Sequence, residues 1–297
     1  YDADLPVAAH PPIVDAEHRI VDQPSGNDTA REARDRWSSL VEAGADLVDA
    51  LETNAATAFS FVESAGVGYG TALAARTLVP GRVHDALDAL GSRVPSVYEF
   101  CAPTVDADHN PDTGHDTHAD PPEGLTLDEK VEYAATAFEL MGWEEFARVV
   151  VFTGHASQTA NNPFDSSLDC GACAGNPGGP NARVLATICN DETVRSRLRD
   201  RGIDIPEDTV FLAGEHNTTT DEIELYDDDV PASHREDVER LRADLATARA
   251  GASAERAGDL GADVDAESET RETRRRAADW AETRPEWGLA GNAGFIV

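Results

Sequence analysis

Apolar positions change their spacing along this chain, and each change marks an element. After Asn27-Asp28, residues Trp37, Leu40, Val41, Leu47, Val48 and Leu51 recur at three- and four-residue steps with Glu and Arg between them. That is the pattern of an amphipathic helix. A second helical stretch is expected over 55–65, with short helical pieces carrying the chain to about Leu90. Residues 1–28, with prolines at 6, 11, 12 and 24, read as extended chain and loop. Thr126 and Glu129 form a capping box, ahead of Leu127, Val131, Ala134, Phe138 and Met141 at helical spacing, and Gly142 supplies the stop. The run Val149, Val150, Val151, Phe152 is β-branched and continuously apolar, as in a strand buried on both faces. It passes into Thr153-Gly154-His155.

A long loop over 156–182 follows, then helices over 181–190 and 191–201, split near Asn190-Asp191. A second short strand is expected over 209–213, ending in Glu215-His216-Asn217, and Glu222–Tyr226 reads as an edge strand. Ser233 and Glu236 open a helix through Val238, Leu241 and Leu245. The Ala/Glu/Asp/Arg-rich stretch 251–273 reads as an exposed helical arm. The sequence therefore predicts a helical and loop region over 1–125, an α/β core over 126–232 and a helical arm over 233–297. In open α/β sheets ligands bind beyond the carboxyl ends of strands, which makes His155 the first candidate for chemistry.

Composition narrows the function. Acidic residues number 57 against 24 basic ones, a net charge of −33, and only Lys130 among the basic residues is a lysine. So negative a field repels phosphate backbones and anionic head groups, which argues against nucleic-acid or lipid-surface binding. Acid spread over every segment with almost no lysine is the signature of a salt-adapted surface, since molar salt shortens the Debye length to about 3 Å. No run of ~18 apolar residues appears. Neither an initiating methionine nor a signal segment opens the chain, and a strand-like Phe295-Ile296-Val297 closes it, so an internal piece of a longer protein is expected.

Four cysteines in 297 residues fit a reducing compartment. Cys170 and Cys173 form a lone C-x-x-C inside the long loop, with Asp165 and Asp169 nearby. Thiolate and imidazole are ligands that zinc prefers, so His155, Cys170 and Cys173 with Cys189 or His216 make one possible site. A redox pair and two buried small residues remain open alternatives on spacing alone. Cys189 sits in an apolar helical run and reads as a core residue, and Cys101 reads as a core or strand residue. His109, His115 and His118 stand in an Asp/His/Pro/Gly-rich loop that reads as a solvated acidic segment rather than a metal cluster.

The motifs Gly154-His155-x-Ser157, Asn161-Asn162-Pro163, Leu168-Asp169-Cys170-Gly171-Ala172-Cys173, Gly178-Gly179-Pro180-Asn181-Ala182-Arg183 and Glu215-His216-Asn217-Thr218-Thr219-Thr220-Asp221 run in order. With them the chain resembles the large soluble subunit of the two-component DAB-type inorganic-carbon (bicarbonate/CO2) accumulation complex. The likeness extends to the proline-rich segment over 5–22 and to 274–297. The resemblance implies an α/β fold with helical insertions and a zinc site, similar to that of beta-type carbonic anhydrases, at the carboxyl ends of sheet strands. His155 and Cys170 match that family's downstream metal ligands. Its upstream pair, from a C-x-D-x-R motif, is absent here and is expected before Tyr1. Asp169, Asn161 and Asn162 are then candidates to orient the ligands, and His216 is a candidate proton relay. The implied activity is zinc-dependent hydration of CO2 to bicarbonate, coupled to a proton- or sodium-conducting membrane subunit, with the protein peripheral on the cytoplasmic side. A free-standing carbonic-anhydrase-like enzyme and a structural zinc scaffold are the alternatives.

Overall fold

A computed structural model describes residues 18–54, 56–107, 123–158, 160, 176–261 and 269–282. Two short strands, β1 (Val21–Pro24) and β2 (Cys101–Thr104), pair antiparallel. Between them lie three helices: α1 (Asp28–Thr53), α2 (Ala58–Leu78) and α3 (Pro80–Gly91). Asn27 caps α1 by accepting from the Ala30 amide at 3.2 Å. The helical stretch expected over 55–65 falls, from Ala58 on, in one continuous helix, α2, whose glycines do not interrupt it. Cys101 takes its expected place in a strand.

The main core is an α/β unit. Helix α4 (Leu127–Met141) opens with the expected capping box: the Glu129 amide donates to Thr126 Oγ1 at 3.3 Å, and Glu129 Oε2 accepts from the Thr126 amide at 2.8 Å. It stops at Gly142, whose φ of 66° is left-handed. Strand β3 (Val149–Ala156) leads, across the segment described only in part, to α5 (Gly179–Asn190) and α6 (Glu192–Asp200). Then come β4 (Val210–Asn217) and β5 (Glu222–Tyr226), and two further helices, α7 (Arg235–Asp259) and α8 (Glu269–Ala278). The sheet order is β3-β4-β5, with β3 parallel and β5 antiparallel to β4. The α/β expectation holds, as a mixed α/β fold with small sheets.

Alternation sends the two sides of each strand to different layers. Val150, Phe152, Phe211 and Ala213 join the larger core with Phe138, Ala186, Ile188 and Leu198 from α4, α5 and α6. Val149, Val151, Val210 and Leu212 face the other way, with Leu225, Val238, Leu241 and Leu245. Aromatic rings fill the larger core: Phe138 lies 4.9 Å from Phe146 and 5.9 Å from Phe211, and Phe152 stacks on Phe211 at 5.6 Å. Cys189 is completely buried in this layer, and burial pushes its thiol up to about 12, which bears out its reading as a core residue.

Lys130, the chain's single lysine, is buried and bridges two loops. Its Nζ reaches Asp106 at 2.7 Å and Asp191 at 2.9 Å. Burial opposes its charge, and the two carboxylates outweigh that, holding its pKa above the ordinary lysine value. Arg183 of α5 ties the small sheet to the core through Asp22 at 2.6 Å and the Cys101 carbonyl.

The stretch read as an exposed arm is corrected. Helix α7 runs unbroken to Asp259 with Ser253, Arg256 and Ala257 buried, and α8 buries Thr273 and Ala277. Hydropathy missed this because the buried groups are small, as at Ser253, Ala257, Thr273 and Ala277, or charged and hydrogen-bonded, as at Arg256. Phe138→Ala removes the ring at the centre of the aromatic cluster and is expected to cost about 3–5 kcal/mol. The denaturant midpoint, at unchanged slope, is the measurement.

Candidate functional site

Both principal strands run further than the apolar pattern suggested. β3 continues to Ala156 and β4 to Asn217, so His155 and His216 lie inside the ladder rather than beyond it. They are register partners, and their neighbours Gly154 and Glu215 are partners as well. In a parallel pair, partners project to the same side. His155 and His216 therefore extend the α7 side of the sheet, while Glu215 extends the α5 side.

The start of α5 meets the end of β3 at backbone distance. The Gly178 amide donates to the His155 carbonyl at 2.6 Å. A Cβ on Gly154 would stand 2.0 Å from the Gly178 carbonyl carbon, and one on Gly179 would stand 2.6 Å from Glu215 Oε2. Only glycine fits at 154, where the obstacle is backbone, whereas at 179 the ends of the Glu215 and Tyr226 side chains would have to shift. The chain that leaves the sheet at Gln158 thus returns beside His155, so both ends of the motif-rich segment are anchored at one strand end. Cys170, Asp169, Cys173, Asn161 and Asn162, with the acidic-loop residues His109, His115 and His118, lie outside the described residues.

On the α5 side, Glu215 meets the Gly179 amide at the helix start and Tyr226 Oη at 3.4 Å. Burial raises its pKa, reinforced by Glu224 opposite on β5, against the opposing pull of these donors. Tyr98 packs on Tyr226 at 4.3 Å and donates to Glu224 Oε1 at 2.5 Å. The sequence places Glu215 beside His216 but gives no sign that it is half-buried under a helix start. That position comes from tertiary packing.

On the α7 side, His216 Nε2 lies 3.5 Å from Asp221 Oδ1, and Asp221 Oδ2 lies 2.8 Å from Arg256 Nη2. Arg256 also donates to the carbonyls of Thr218 and Thr219, each at 3.1 Å. Asp221 has a φ of 55°, in the left-handed region that Asp tolerates better than most residues. Burial alone would raise its carboxyl, but His216 and Arg256 hold it below the usual carboxylate range. Gln158 closes the end of the sheet: its amide donates to Thr219 Oγ1 at 3.0 Å, its Oε1 accepts from Asn217, and its Nε2 lies 2.6 Å from His84 of α3.

Among the described residues no group of three or more His, Cys, Asp or Glu is placed to hold a metal ion. Cys189 is sealed in the core, which removes it from the possible ligand set. His155, exposed at the strand end, has the donor chemistry zinc takes. Of the two expected ligands in this chain it is the one the structure locates.

The family model described as "probable inorganic carbon transporter subunit DabA" matches residues 1–297. The chain belongs to the DabA family. Proteins carrying that description are 66% identical in Haloarcula marismortui, 56% in Natronomonas pharaonis and 54% in Salinibacter ruber, each over all of this chain. The chain spans 36%, 35% and 37% of their respective lengths. No solved structure matches it. The DabA resemblance drawn from the motifs is thereby established. Among the described residues no helix is long and apolar enough to cross a membrane.

Two substitutions test this architecture. Gly154→Ala forces a methyl into the Gly178 backbone and is expected to destabilise by about 3 kcal/mol or more, read as a lowered denaturant midpoint. Asp221→Asn breaks a buried pair and is expected to cost about 3–5 kcal/mol at neutral pH. Because the folded carboxyl lies below its unfolded value of about 3.9, its contribution is full above that pH. It fades as pH falls through the folded pKa. The stability gap between parent and Asp221→Asn should therefore hold steady from pH 7 to about 5 and narrow below about 4.

Proposed function

We propose that this chain carries two of the four ligands of a zinc site in an energy-coupled inorganic-carbon complex. His155 and Cys170 hold the metal together with a Cys and an Asp from outside residues 1–297. The observation that supports this reading is the anchoring of the Cys170 segment at both ends beside His155. Cys170 is eight positions before Gly178 in the sequence, and the Gly178 amide is bonded to the His155 carbonyl. Zinc, when bound, lowers the pKa of a coordinated water to about 7, the chemistry that CO2 hydration requires near neutral pH.

The remaining roles fall to the chain's own side chains. The ladder holds the His155 backbone, and the Gly178 amide fixes its carbonyl, so the imidazole is presented from a rigid strand end. Arg256 holds Asp221, and Asp221 faces His216 Nε2, which orients that ring for a proton-relay role at the sheet's carboxyl edge. Asp169, next to Cys170 in sequence, would orient the thiolate ligand. The subunit would act peripherally at the cytoplasmic face of a proton- or sodium-conducting membrane partner, taking CO2 and releasing bicarbonate.

The test uses the full-length protein. His155→Ala and Cys170→Ser are each expected to abolish zinc retention, measured as metal per chain after dialysis, while Cys173→Ser is milder. Full occupancy in Cys170→Ser would overturn the ligand assignment. CO2-hydration activity in the isolated subunit would favour a free-standing enzyme, and zinc held by four protein ligands in every state would favour a scaffold.

A further inference from the structure

Helices α1 and α2 carry apolar seams that nothing described covers. In α2, Phe59, Val62, Gly66, Gly70 and Leu73 follow one another at steps of three and four residues, so they share one face. Phe59 is 74% exposed and Val62 65%. Val67 and Leu78 project from a different side and are each 78% exposed. No residue of this 21-residue helix is buried, and it contains only two charged side chains, Glu63 and Arg76. In α1 the steps run through Trp37, Leu40, Val41, Gly44, Leu47 and Val48, with Leu40 70% exposed.

The glycines point the same way as the large side chains. A Cβ at Gly44, Gly66 or Gly70 would meet nothing within 4 Å. Glycine inside a helix costs about 1 kcal/mol relative to alanine, and no described neighbour recovers that cost. Where glycine recurs at four-residue spacing between large apolar residues, another helix can approach to backbone distance. Heptad-like spacing with small residues in the seam is the pattern of packed helices rather than of a solvated face. A helix apolar on more than one side belongs inside a larger protein or a membrane, and α2 lacks the apolarity to cross one.

The occupant follows from three observations. The seams lack charge in a chain of net charge −33, so they do not select a partner by charge complementarity. α2 presents apolar residues on more than one side, so it needs enclosure rather than a single docked surface. About two thirds of each of the three relatives lies outside the span this chain matches. We infer that α1 and α2 pack inside the full-length subunit, covered by helical segments of the same polypeptide from outside residues 1–297. The hairpin is thus an internal seam of one large fold. It is not the docking surface for a membrane partner, and this assignment is independent of the zinc reading.

Thiol labelling of the full-length protein tests it. Val67→Cys and Ala72→Cys place small thiols on α2, and Glu239→Cys on the exposed side of α7 is the accessible control; the parent protein gives the background from native cysteines. In the full-length subunit purified alone, the two α2 thiols should react with a maleimide at least roughly tenfold more slowly than in the urea-unfolded protein. The control should show no such protection. Size-exclusion profile and circular dichroism confirm that each variant is folded, and Ala72→Cys, a change of one atom, guards against a misfolded Val67→Cys. Fast labelling in the lone subunit that slows only with the membrane subunit would overturn the inference in favour of a partner interface. Slowing only with phospholipid vesicles would overturn it in favour of a lipid surface. Fast labelling under all conditions would overturn it outright.

Discussion

The structure depends most on one close contact, where the end of β3 meets the start of α5 with backbone against backbone. Gly154 and Gly178 leave no space for a side chain, and the Gly178 amide closes on the His155 carbonyl. This contact sets how α5 lies on the sheet and hence how Ala182, Ala186 and Cys189 reach Phe152 and Phe211. It also fixes both ends of the segment carrying Asp169 and Cys170. Fold and candidate site thus share one joint, so a methyl group there should disturb both.

Electrostatics in this chain divide by depth. Carboxylates are spread over the exterior, where screening at high salt makes their mutual repulsion cheap. Three cations serve as internal clamps. Lys130 joins Asp106 to Asp191, Arg183 joins α5 to the small sheet, and Arg256 gathers two carbonyls and Asp221 beneath α7. Arginine suits this work because its planar fork donates in several directions while staying charged. Buried pairs are screened less than exposed ones, so these clamps keep their strength in salt that silences surface pairs.

Against that division, α2 and one seam of the otherwise acidic α1 stand apart, since they are apolar where the rest of the surface is acidic. The same selection that coated the exterior with carboxylates left α2 with two charges. A surface kept apolar under that pressure is one that water does not reach in the working protein. The mixed α/β core and the helical hairpin therefore describe different parts of one larger object: the first closes on itself, while the second is shaped for neighbours.

Local rules of the chain determined much of this. The Thr126–Glu129 capping box, the Gly142 stop, the Asn27 start of α1, the apolar runs of β3 and β4 and the core place of Cys189 are short-range consequences of side-chain type and period. The ordered motifs determined the family and singled out His155 and Cys170. Tertiary structure alone decided the rest. The ladder carried β3 and β4 onward to polar residues, because strand pairing is satisfied by backbone groups whatever the side chain. Burial of Arg256 turned part of an expected exposed arm into core, because its hydrogen bonds to the Thr218 and Thr219 carbonyls and to Asp221 replace the water it loses. The register that sets His155 beside His216, and Glu215 beneath the start of α5, joins residues some sixty positions apart. No local pattern holds that information, since it exists only once the strands have paired.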